Sequence, residues 1–277
     1  MEFLFLGTAA SEGWPALFCN CPQCKAAAEL GGRNIRTRSQ ALLDGHILLD
    51  FPPDTYKHKL DGALDLSRVD LLLVTHSHSD HLYPNDLATR GAPYGHNFTA
   101  PTLHIASGHD ALARIERVNG YENNKLSNIV THELRAYEPF ECCGARVIPL
   151  PADHLKSEDA FCYAIETNGK HILYLHDTGE VIPDVLDYLA HAGICYDLIS
   201  FDCCYCVKDN THLHGHMGLP NVVRLRNKLL ASGVCDRHTF CVVNHFSHNI
   251  AVTHESMTAA AAREGMLCSY DGMRLEI

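Results

Sequence analysis

The amino-acid sequence predicts an α/β protein built as one layered domain over residues 1–277. Short apolar runs typical of strands and amphipathic segments typical of helices are mixed along the whole chain. No stretch has the composition of a linker between domains. The composition, with 46% hydrophobic and 20% charged residues, is that of a globular chain long enough to bury a core.

The strand predictions rest on apolar runs that end at polar or glycine residues. Residues 3–6 form the first such run. Residues 40–50 indicate two short strands joined at Asp44-Gly45, a dipeptide typical of hairpin turns. The run 69–74 (VDLLLV) is typical of a central strand. Further strands are predicted at 146–150, 161–166, 171–175, 197–201 and 239–243.

Helical periodicity predicts helices over 181–191, 219–231 and 255–264, with a further one over 110–118. Residues 91–145 carry the weakest pattern and include loop-like segments such as PYGHNFTAP. Long irregular loops inside a patterned chain are often lids or substrate loops. This stretch is therefore a candidate for such a loop, apart from the helix predicted over 110–118.

Composition excludes several functional classes. Lys and Arg number 22 against 33 Asp and Glu, and a net charge of −11 argues against a large nucleic-acid partner. No apolar run approaches the roughly 18 residues of a membrane span. The start, MEFLFLGTAASEG, lacks the basic leader of a secretory signal. Thirteen cysteines cannot all pair, so metal ligation or reduced thiols in a cytoplasmic protein are expected.

The strongest signal is a run of potential metal ligands directly after the strand predicted at 69–74. His76, His78, Asp80 and His81 lie within six consecutive positions. Imidazole and carboxylate groups together bind zinc, manganese or iron. A histidine-rich surface loop is the alternative, but four such residues directly after a core strand are hard to obtain by chance. The sequence therefore predicts a metal-binding loop.

Three further candidates occupy the same kind of junction between a strand and a loop. His154 follows the strand at 146–150, Asp177 follows that at 171–175, and His245 follows that at 239–243. A lone histidine after a strand is more commonly structural, but the recurrence favours a shared site. A site for two metal ions would need further ligands of this kind from separate strand ends.

The motif THSHSDH, with the later segments HDTG and NHFSH, resembles the metallo-β-lactamase family over roughly residues 3–275. The resemblance implies an αββα four-layer sandwich with its metals at one edge between the two sheets. It also implies two catalytic zinc or manganese ions held by seven side chains: His76, His78 and His154 on one, Asp80, His81 and His245 on the other, and Asp177 bridging both.

The segment GTAASEGWPALFCNCPQC narrows this resemblance to one branch of the family. That branch contains the cyclic phosphodiesterases of the phosphonate pathway and the B proteins of pyrroloquinoline-quinone biosynthesis. In it, three cysteines and a histidine hold a structural zinc, which here implies Cys19, Cys21, Cys24 and His248. Three cysteines in six positions also suit part of a tetrahedral zinc site on their own. Three reduced thiols in a loop are the alternative.

His214 and His216 form another cluster just before the helix predicted at 219–231. By the resemblance, a histidine in this region approaches the substrate phosphate and protonates the leaving oxygen. His216 is the first choice and His214 the second. Asp80 is expected to orient a metal ligand or to share the proton transfer, so Asp80 and His216 are the predicted catalytic side chains. A solvent-exposed histidine pair is the alternative.

Several other polar residues have weaker assignments. Asp50 and Asp202 end strands and are candidates to accept hydrogen bonds from ligand histidines. The basic group in the segment GGRNIRTRS could contact a phosphate, but a solvated loop is the preferred interpretation for its members Arg33, Arg36 and Arg38. The remaining cysteine clusters are predicted to be reduced thiols rather than metal ligands: Cys142, Cys143, Cys203, Cys204 and Cys206.

The sequence thus predicts a metal-dependent phosphodiesterase acting on a small cyclic phosphodiester such as phosphoribosyl 1,2-cyclic phosphate. A hydroxide that bridges the two metals would attack phosphorus. The alternatives are a tRNA 3′-processing endonuclease, a quinone-cofactor biosynthesis enzyme using iron, and a metal-binding scaffold without turnover. The complete ligand set argues against the scaffold. Neither a membrane nor a large nucleic acid is expected as a partner, and a homodimer is compatible with the branch.

Overall fold

The computed structural model describes residues 1–121, 128–180, 182–250 and 252–277. Within these ranges it contains fourteen β-strands and six α-helices. The strands are β1 (Glu2–Gly7), β2 (Gln40–Leu43), β3 (Ile47–Leu49), β4 (Leu71–Leu73), β5 (Leu103–Ser107), β6 (Ile129–Glu133), β7 (Phe140–Cys142), β8 (Ala145–Pro151), β9 (Phe161–Thr167), β10 (Lys170–Leu175), β11 (Leu198–Asp202), β12 (Phe240–Asn244), β13 (Leu267–Cys268) and β14 (Met273–Glu276). The helices are α1 (Pro22–Leu30), α2 (Thr55–Leu60), α3 (His109–Tyr121), α4 (Pro183–Ala192), α5 (Leu219–Ala231) and α6 (His254–Arg263).

The strands pair into two seven-stranded sheets. Their strand orders are β14-β1-β2-β3-β4-β5-β6 and β13-β12-β11-β10-β9-β8-β7. The strands from β3 to β6 run parallel in the first sheet, as do those from β10 to β13 in the second. Parallel neighbours require long crossover connections, and helices supply most of them here. Among the described residues, no helix combines the length and apolar character that a membrane span requires.

Alternating side chains sort the apolar residues into layers. In β1, Phe3 and Phe5 belong to a buried cluster between the sheets that also contains Tyr163 of β9. Leu4 of the same strand belongs to a second cluster, together with Ile115 of α3. This alternation is the period of two expected for a strand. A third cluster joins the second sheet to α1, α4, α5 and α6. The layers are helix, sheet, sheet and helix, which confirms the predicted αββα sandwich.

Most predicted elements match the structure to within a few residues. The segment 40–50 forms β2 and β3, and Asp44 and Gly45 in the turn between them have positive φ angles of 45° and 74°. The strand predicted over 69–74 is limited to the three residues of β4. The helix predicted over 181–191 begins at Pro183, and residue 181 lies outside the described residues.

In its described part, the stretch 91–145 is more regular than its weak sequence pattern suggested, and the helix predicted over 110–118 is confirmed as α3. This stretch contains β5, α3, β6 and β7. β6 and β7 are the edge strands of the two sheets, and their side chains are half-buried or exposed. A partly exposed edge strand lacks the apolar alternation on which strand prediction depends. Its conformation comes from backbone pairing with a neighbouring strand.

Arg36 is buried, with 3% of its surface exposed, so the solvated-loop interpretation was wrong for this residue, whereas Arg33 is exposed. Its Nη1 donates to Thr8 Oγ1 over 2.7 Å and to the carbonyl oxygen of Ser269 over 2.8 Å. Its guanidinium lies over the ring of Phe246, 4.4 Å from the centroid. The arginine therefore joins the N-terminal loop to the C-terminal part of the chain.

Replacing Arg36 with methionine should lower the free energy of unfolding by about 3 kcal/mol or more. The substitution keeps most of the side-chain length but leaves buried acceptors without their charged donor. Chemical denaturation measures this effect. Arg33→Met is the matched control, because Arg33 is exposed and lies over Tyr270, a contact worth about 0.5–1 kcal/mol. Equal losses in the two variants would contradict the account.

Candidate metal centre

The predicted ligands lie at the carboxyl ends of strands, along one edge of the sandwich. His76 follows β4, His154 follows β8, Asp177 follows β10 and His245 follows β12. β10 and β12 flank β11 in parallel, so their carboxyl ends meet at the same edge. Asp177 and His245 have positive φ angles of 46° and 64°. Such angles are uncommon outside glycine and are concentrated at functional sites.

A first group consists of His76, His78 and His154, whose ligand nitrogens lie within 4.8 Å of one another. His78 Nδ1 lies 3.3 Å from His154 Nε2. Burial holds the pKa of His76 well below its ordinary value and also lowers the pKa of His154. Because neutral imidazole is the form that binds metals, the group presents uncharged nitrogen donors.

A second group consists of Asp80, His81, Asp177 and His245, all of them buried. His245 Nε2 lies 3.1 Å from Asp177 Oδ1, and His81 Nε2 lies 3.3 Å from Asp80 Oδ2. Burial alone would raise the pKa of Asp177, but His245 and His81 outweigh it and hold the pKa well below the ordinary value. Asp177 Oδ1 is also 4.0 Å from His154 Nε2. Asp177 therefore lies between the two groups.

Three buried atoms in these groups have no hydrogen-bond partner, namely His76 Nε2, His81 Nε2 and Asp177 Oδ2. The last two are nevertheless in contact with each other. A buried polar atom without a partner costs about 1–3 kcal/mol, and a bound cation would satisfy all three. Imidazole and carboxylate donors suit zinc, manganese or iron. The residues present therefore fit a pair of divalent ions.

Two of the histidines are oriented through their second ring nitrogen. His81 Nδ1 donates to Asp50 Oδ2 over 2.7 Å, and His245 Nδ1 donates to Ser39 Oγ over 2.8 Å. Asp50 is itself fixed, because its Oδ1 accepts hydrogen bonds from the backbone and hydroxyl of Thr75. Such contacts select the tautomer that leaves Nε2 free for a metal. Asp50 thus has the supporting position predicted for it.

Replacing Asp50 with asparagine should weaken metal binding at this centre by about 10–100-fold. Asparagine keeps the shape but is a weaker acceptor for the His81 N–H. Zinc affinity, measured by competition with a chromophoric chelator, tests this. Asp197→Asn is the matched control, because Asp197 accepts from Lys170 Nζ over 2.8 Å and from the backbone of His171 over 2.9 Å, outside every cluster of ligand atoms among the described residues. An unchanged affinity in Asp50→Asn would contradict the orienting role.

His216 lies beside both groups of ligands. Its ring centroid is 5.2 Å from that of His154 and 5.5 Å from that of His245. Its Nδ1 donates to Asp202 Oδ2 over 2.8 Å. Burial opposes protonation, but Asp202 outweighs it and raises the pKa of His216 to about 9. His214 is largely exposed and pairs with an aspartate outside the two groups, so the geometry favours His216 as the residue facing the centre.

The predicted structural zinc residues also come together. Ligand atoms of Cys19, Cys21, Cys24 and His248 lie within 4.8 Å of one another. His248 Nδ1 is 3.7 Å from Cys21 Sγ and 3.4 Å from Cys24 Sγ. The backbone N–H of Cys24 and the His248 side chain lower the pKa of Cys21 to about 6, whereas burial raises that of Cys24 to about 11. Three thiols and one imidazole suit a tetrahedral zinc.

Backbone pairing connects this cysteine cluster to the candidate metal pair. The backbone N–H of Phe246 donates to the carbonyl oxygen of Thr8 over 2.9 Å. The carbonyl oxygen of Phe246 accepts from the backbone N–H of Ala10, also over 2.9 Å. Phe246 lies between His245 and His248 in sequence. A zinc held by the cysteines would therefore fix the loop that carries His245.

Several residues around the centre were missed by sequence reasoning. Ser39 orients His245, and Glu12 Oε1 lies 3.6 Å from His248 Nε2. Arg114 of α3 donates to the carbonyl oxygen of Ser77, within the histidine-rich loop. Each is a single polar residue far along the chain from its partner. No local pattern identifies such residues, because their roles depend on tertiary contacts.

All 13 cysteines are free. Cys203, Cys204 and Cys206 are buried thiols beside the second sheet, whereas Cys142 and Cys143 are only half-buried.

A family model described as the beta-lactamase superfamily domain matches residues 46–238, more than half of the chain. Among solved structures, a diphosphatase from the PhnP family has a TM-score of 0.74 at 22% identity, covering 100% of this chain and 98% of that one. Zn²⁺-bound PqqB from Methylobacterium extorquens has a TM-score of 0.75 at 17% identity, with 100% of both chains covered. The short form of human tRNase Z has a TM-score of 0.68 at 18% identity, and the match covers 100% of this chain and 99% of that one. A comparison with curated proteins found no match.

Fold, site and family model together define a metal-dependent hydrolase with the metallo-β-lactamase fold. The chain belongs to the beta-lactamase superfamily domain family, as the THSHSDH motif predicted. Structural similarity at 17–22% identity establishes the fold alone, and the diphosphatase and the tRNase differ in their named activities. The substrate must therefore be inferred from the residues of the site.

Proposed function

We propose that this protein hydrolyses small phosphodiesters, with cyclic esters such as phosphoribosyl 1,2-cyclic phosphate as the model substrate. Two divalent ions, zinc or manganese, would be held by the seven residues described above, and a structural zinc by the cysteine cluster. The observation that carries the proposal is Asp177, which lies between two adjacent ligand groups while His216 stands beside both. The proposal places the reaction in the cytoplasm, without a membrane or nucleic-acid partner.

When bound, the two cations supply Lewis-acid polarisation of a phosphoryl oxygen and activation of water at neutral pH. The protein's own residues determine where this chemistry occurs. Asp177 fixes the relative position of the two ligand groups. Asp80 lies 3.3 Å from His81 Nε2 and adds negative charge to the second group. The strand ends hold these side chains in place before substrate arrives, which favours stabilisation of the transition state.

His216 is the proposed proton donor to the leaving oxygen. Because its Nδ1–H is engaged by Asp202, Nε2 is the atom available to substrate. Asp202 is fixed in turn, since its Oδ1 accepts from the backbone N–H groups of Met217 and Cys204. The carboxylate raises the pKa of His216 to about 9. The imidazolium form therefore persists at neutral pH, as a general acid requires.

Removing the Asp202 charge should shift the alkaline limb of the pH–rate profile to lower pH. The acid form of His216 is the active one, so kcat falls as pH rises through its pKa, and Asp202→Asn lowers that pKa. His216→Gln should lower kcat by about 10²–10⁴-fold and abolish that limb. Steady-state kinetics across pH test both expectations. An alkaline limb that stays in place in both variants would contradict the assignment.

A substrate panel tests the proposed function directly. The metal-replete protein should hydrolyse bis(p-nitrophenyl) phosphate and a 1,2-cyclic ribose phosphate, and should show much lower activity toward p-nitrophenyl phosphate, a β-lactam and a thioester. A precursor tRNA tests the endonuclease alternative, which the net charge of −11 disfavours. With all metal sites occupied, turnover of neither diester would overturn the proposal.

The named activities of two similar structures support this choice. A PhnP-family diphosphatase and tRNase Z share this fold over essentially the whole chain, and both names denote cleavage at phosphate groups. The similarity to PqqB keeps a quinone-cofactor role as the competing possibility. Iron analysis of the purified protein, together with the diester panel, separates the two.

A further inference from the structure

A second set of metal-binding side chains lies at the outer edge of the sandwich, away from the catalytic groups. It consists of His104 on β5, His132 on β6, and Cys142 and Cys143 at the end of β7, and is called here the edge cluster. β6 and β7 are the terminal strands of the two different sheets. The edge cluster therefore connects the two sheets where neither has a further strand to pair with.

The ligand atoms of the edge cluster are already close together. One nitrogen of His104 and the sulfurs of Cys142 and Cys143 lie within 4.8 Å of one another. The two sulfurs are 3.4 Å apart. Two sulfurs bound to one tetrahedral zinc at about 2.3 Å each are separated by about 3.8 Å, so only a small adjustment is needed. His132 Nε2 lies 2.9 Å from His104 Nδ1, the contact by which a neighbouring group orients a ligand histidine.

Few sets of potential ligand atoms lie as close together as those of the edge cluster. In the described part of the chain, ligand atoms within 4.8 Å of one another occur in the two catalytic groups, in a set around Asp202 and His216, in the cysteine cluster with His248, and in the edge cluster. The first four belong to the sites already described. The edge cluster shares no residue with them, so their chemistry does not explain it.

The edge cluster is also accessible to a cation. All three ligand-bearing residues are half-buried. A surface cavity of about 490 Å³ is lined by Cys142 and Cys143, and also by Glu141, Glu166 and Arg146. Glu141 is paired with Arg146 over 3.9 Å, so Glu166 is the carboxylate that remains to attract a cation, and His104 lies beside the cavity rather than in its lining. Solvent can supply the fourth ligand at this surface.

We propose that the edge cluster binds one zinc ion through His104, Cys142 and Cys143, with His132 orienting His104 and water as the fourth ligand. Two thiolates and an imidazole are a donor set that zinc prefers over magnesium or manganese. Binding would release the two thiol protons to solvent. The ion would join the edges of the two sheets and stabilise them against separation.

Metal counting with matched variants tests the proposal. The protein is saturated with zinc, desalted and analysed by elemental mass spectrometry. The double variant Cys142→Ser/Cys143→Ser should contain one zinc fewer per chain than the unchanged protein and keep its diester hydrolysis. Cys195→Ser, which removes an exposed cysteine elsewhere, should lose none. Equal zinc content in the double variant and the unchanged protein would overturn the proposal.

A second measurement avoids substitution and the risk of misfolding. In the unchanged, zinc-saturated protein, Cys142 and Cys143 should be protected from alkylation, whereas Cys195 should react. Removing weakly held zinc with a chelator should expose both thiols. Rapid alkylation of Cys142 and Cys143 with zinc present would overturn the proposal, as would a Cys142–Cys143 disulfide in the purified protein. Neither readout depends on catalysis, so failure here is distinguishable from failure of the proposed function.

Discussion

Replacement of Asp177 with alanine is expected to cause the largest loss of activity of any single change considered. Asp177 is buried, lies between the two ligand groups and contacts His81 and His245. Without it, two cations held by these groups would lack the carboxylate proposed to lie between them and offset their mutual repulsion. We expect kcat for diester hydrolysis to fall by at least about 10³-fold. Elemental analysis should show that both catalytic metals are lost or weakly held.

Asp187→Ala is the matched control for this experiment, because Asp187 is an exposed aspartate on α4. It should change neither kcat nor metal content. The zinc of the cysteine cluster should remain in both variants. Retention of two tightly bound catalytic metals in Asp177→Ala would contradict the position assigned to the carboxylate.

Replacement of Cys21 with serine is expected to have the largest effect on stability. The pKa of Cys21 is lowered to about 6, and its side chain caps the N-terminus of α1, so serine can keep the cap but binds zinc poorly. We expect one zinc per chain to be lost and the free energy of unfolding to fall by about 4 kcal/mol or more. Denaturation with and without added zinc measures this change.

At low temperature, Cys21→Ser should lose much less of its diester hydrolysis than of its stability. The two catalytic metals remain, but the loop with His245 loses one of its attachments. Cys195→Ser, at an exposed position, should match the unchanged protein in metal content and stability. Unchanged zinc content in Cys21→Ser would show that the cysteines are simply reduced thiols.

The fold and most of the candidate site are predictable from the sequence for one physical reason. Metal ligands on this fold stand directly after strands, and a buried strand leaves a strong apolar signal. Asp177 and His245 were identified in this way, after the strands that became β10 and β12. Asp50 was found by the same reasoning and accepts the expected hydrogen bond from a predicted ligand, His81, whereas Asp202 accepts from His216 instead of a predicted metal ligand.

The remaining parts of the site and the fold depend on tertiary contacts, which leave no local pattern in the sequence. Ser39 and Glu12 support histidines more than 200 residues away in the chain. Arg36 is buried because its acceptors come from both ends of the chain, whereas its own segment is polar. The pairing of β6 and β7 as edge strands, which assembles the edge cluster, likewise follows from tertiary structure.

The central claim is that two cations share Asp177 at the ends of the strands. Anomalous X-ray diffraction from crystals of the metal-replete protein, recorded on both sides of the metal absorption edge, tests it most directly. The account predicts two peaks on either side of the Asp177 carboxylate, one among His76, His78 and His154 and the other among Asp80, His81 and His245. A single peak at this edge of the sandwich, or two peaks that do not flank Asp177, would contradict it.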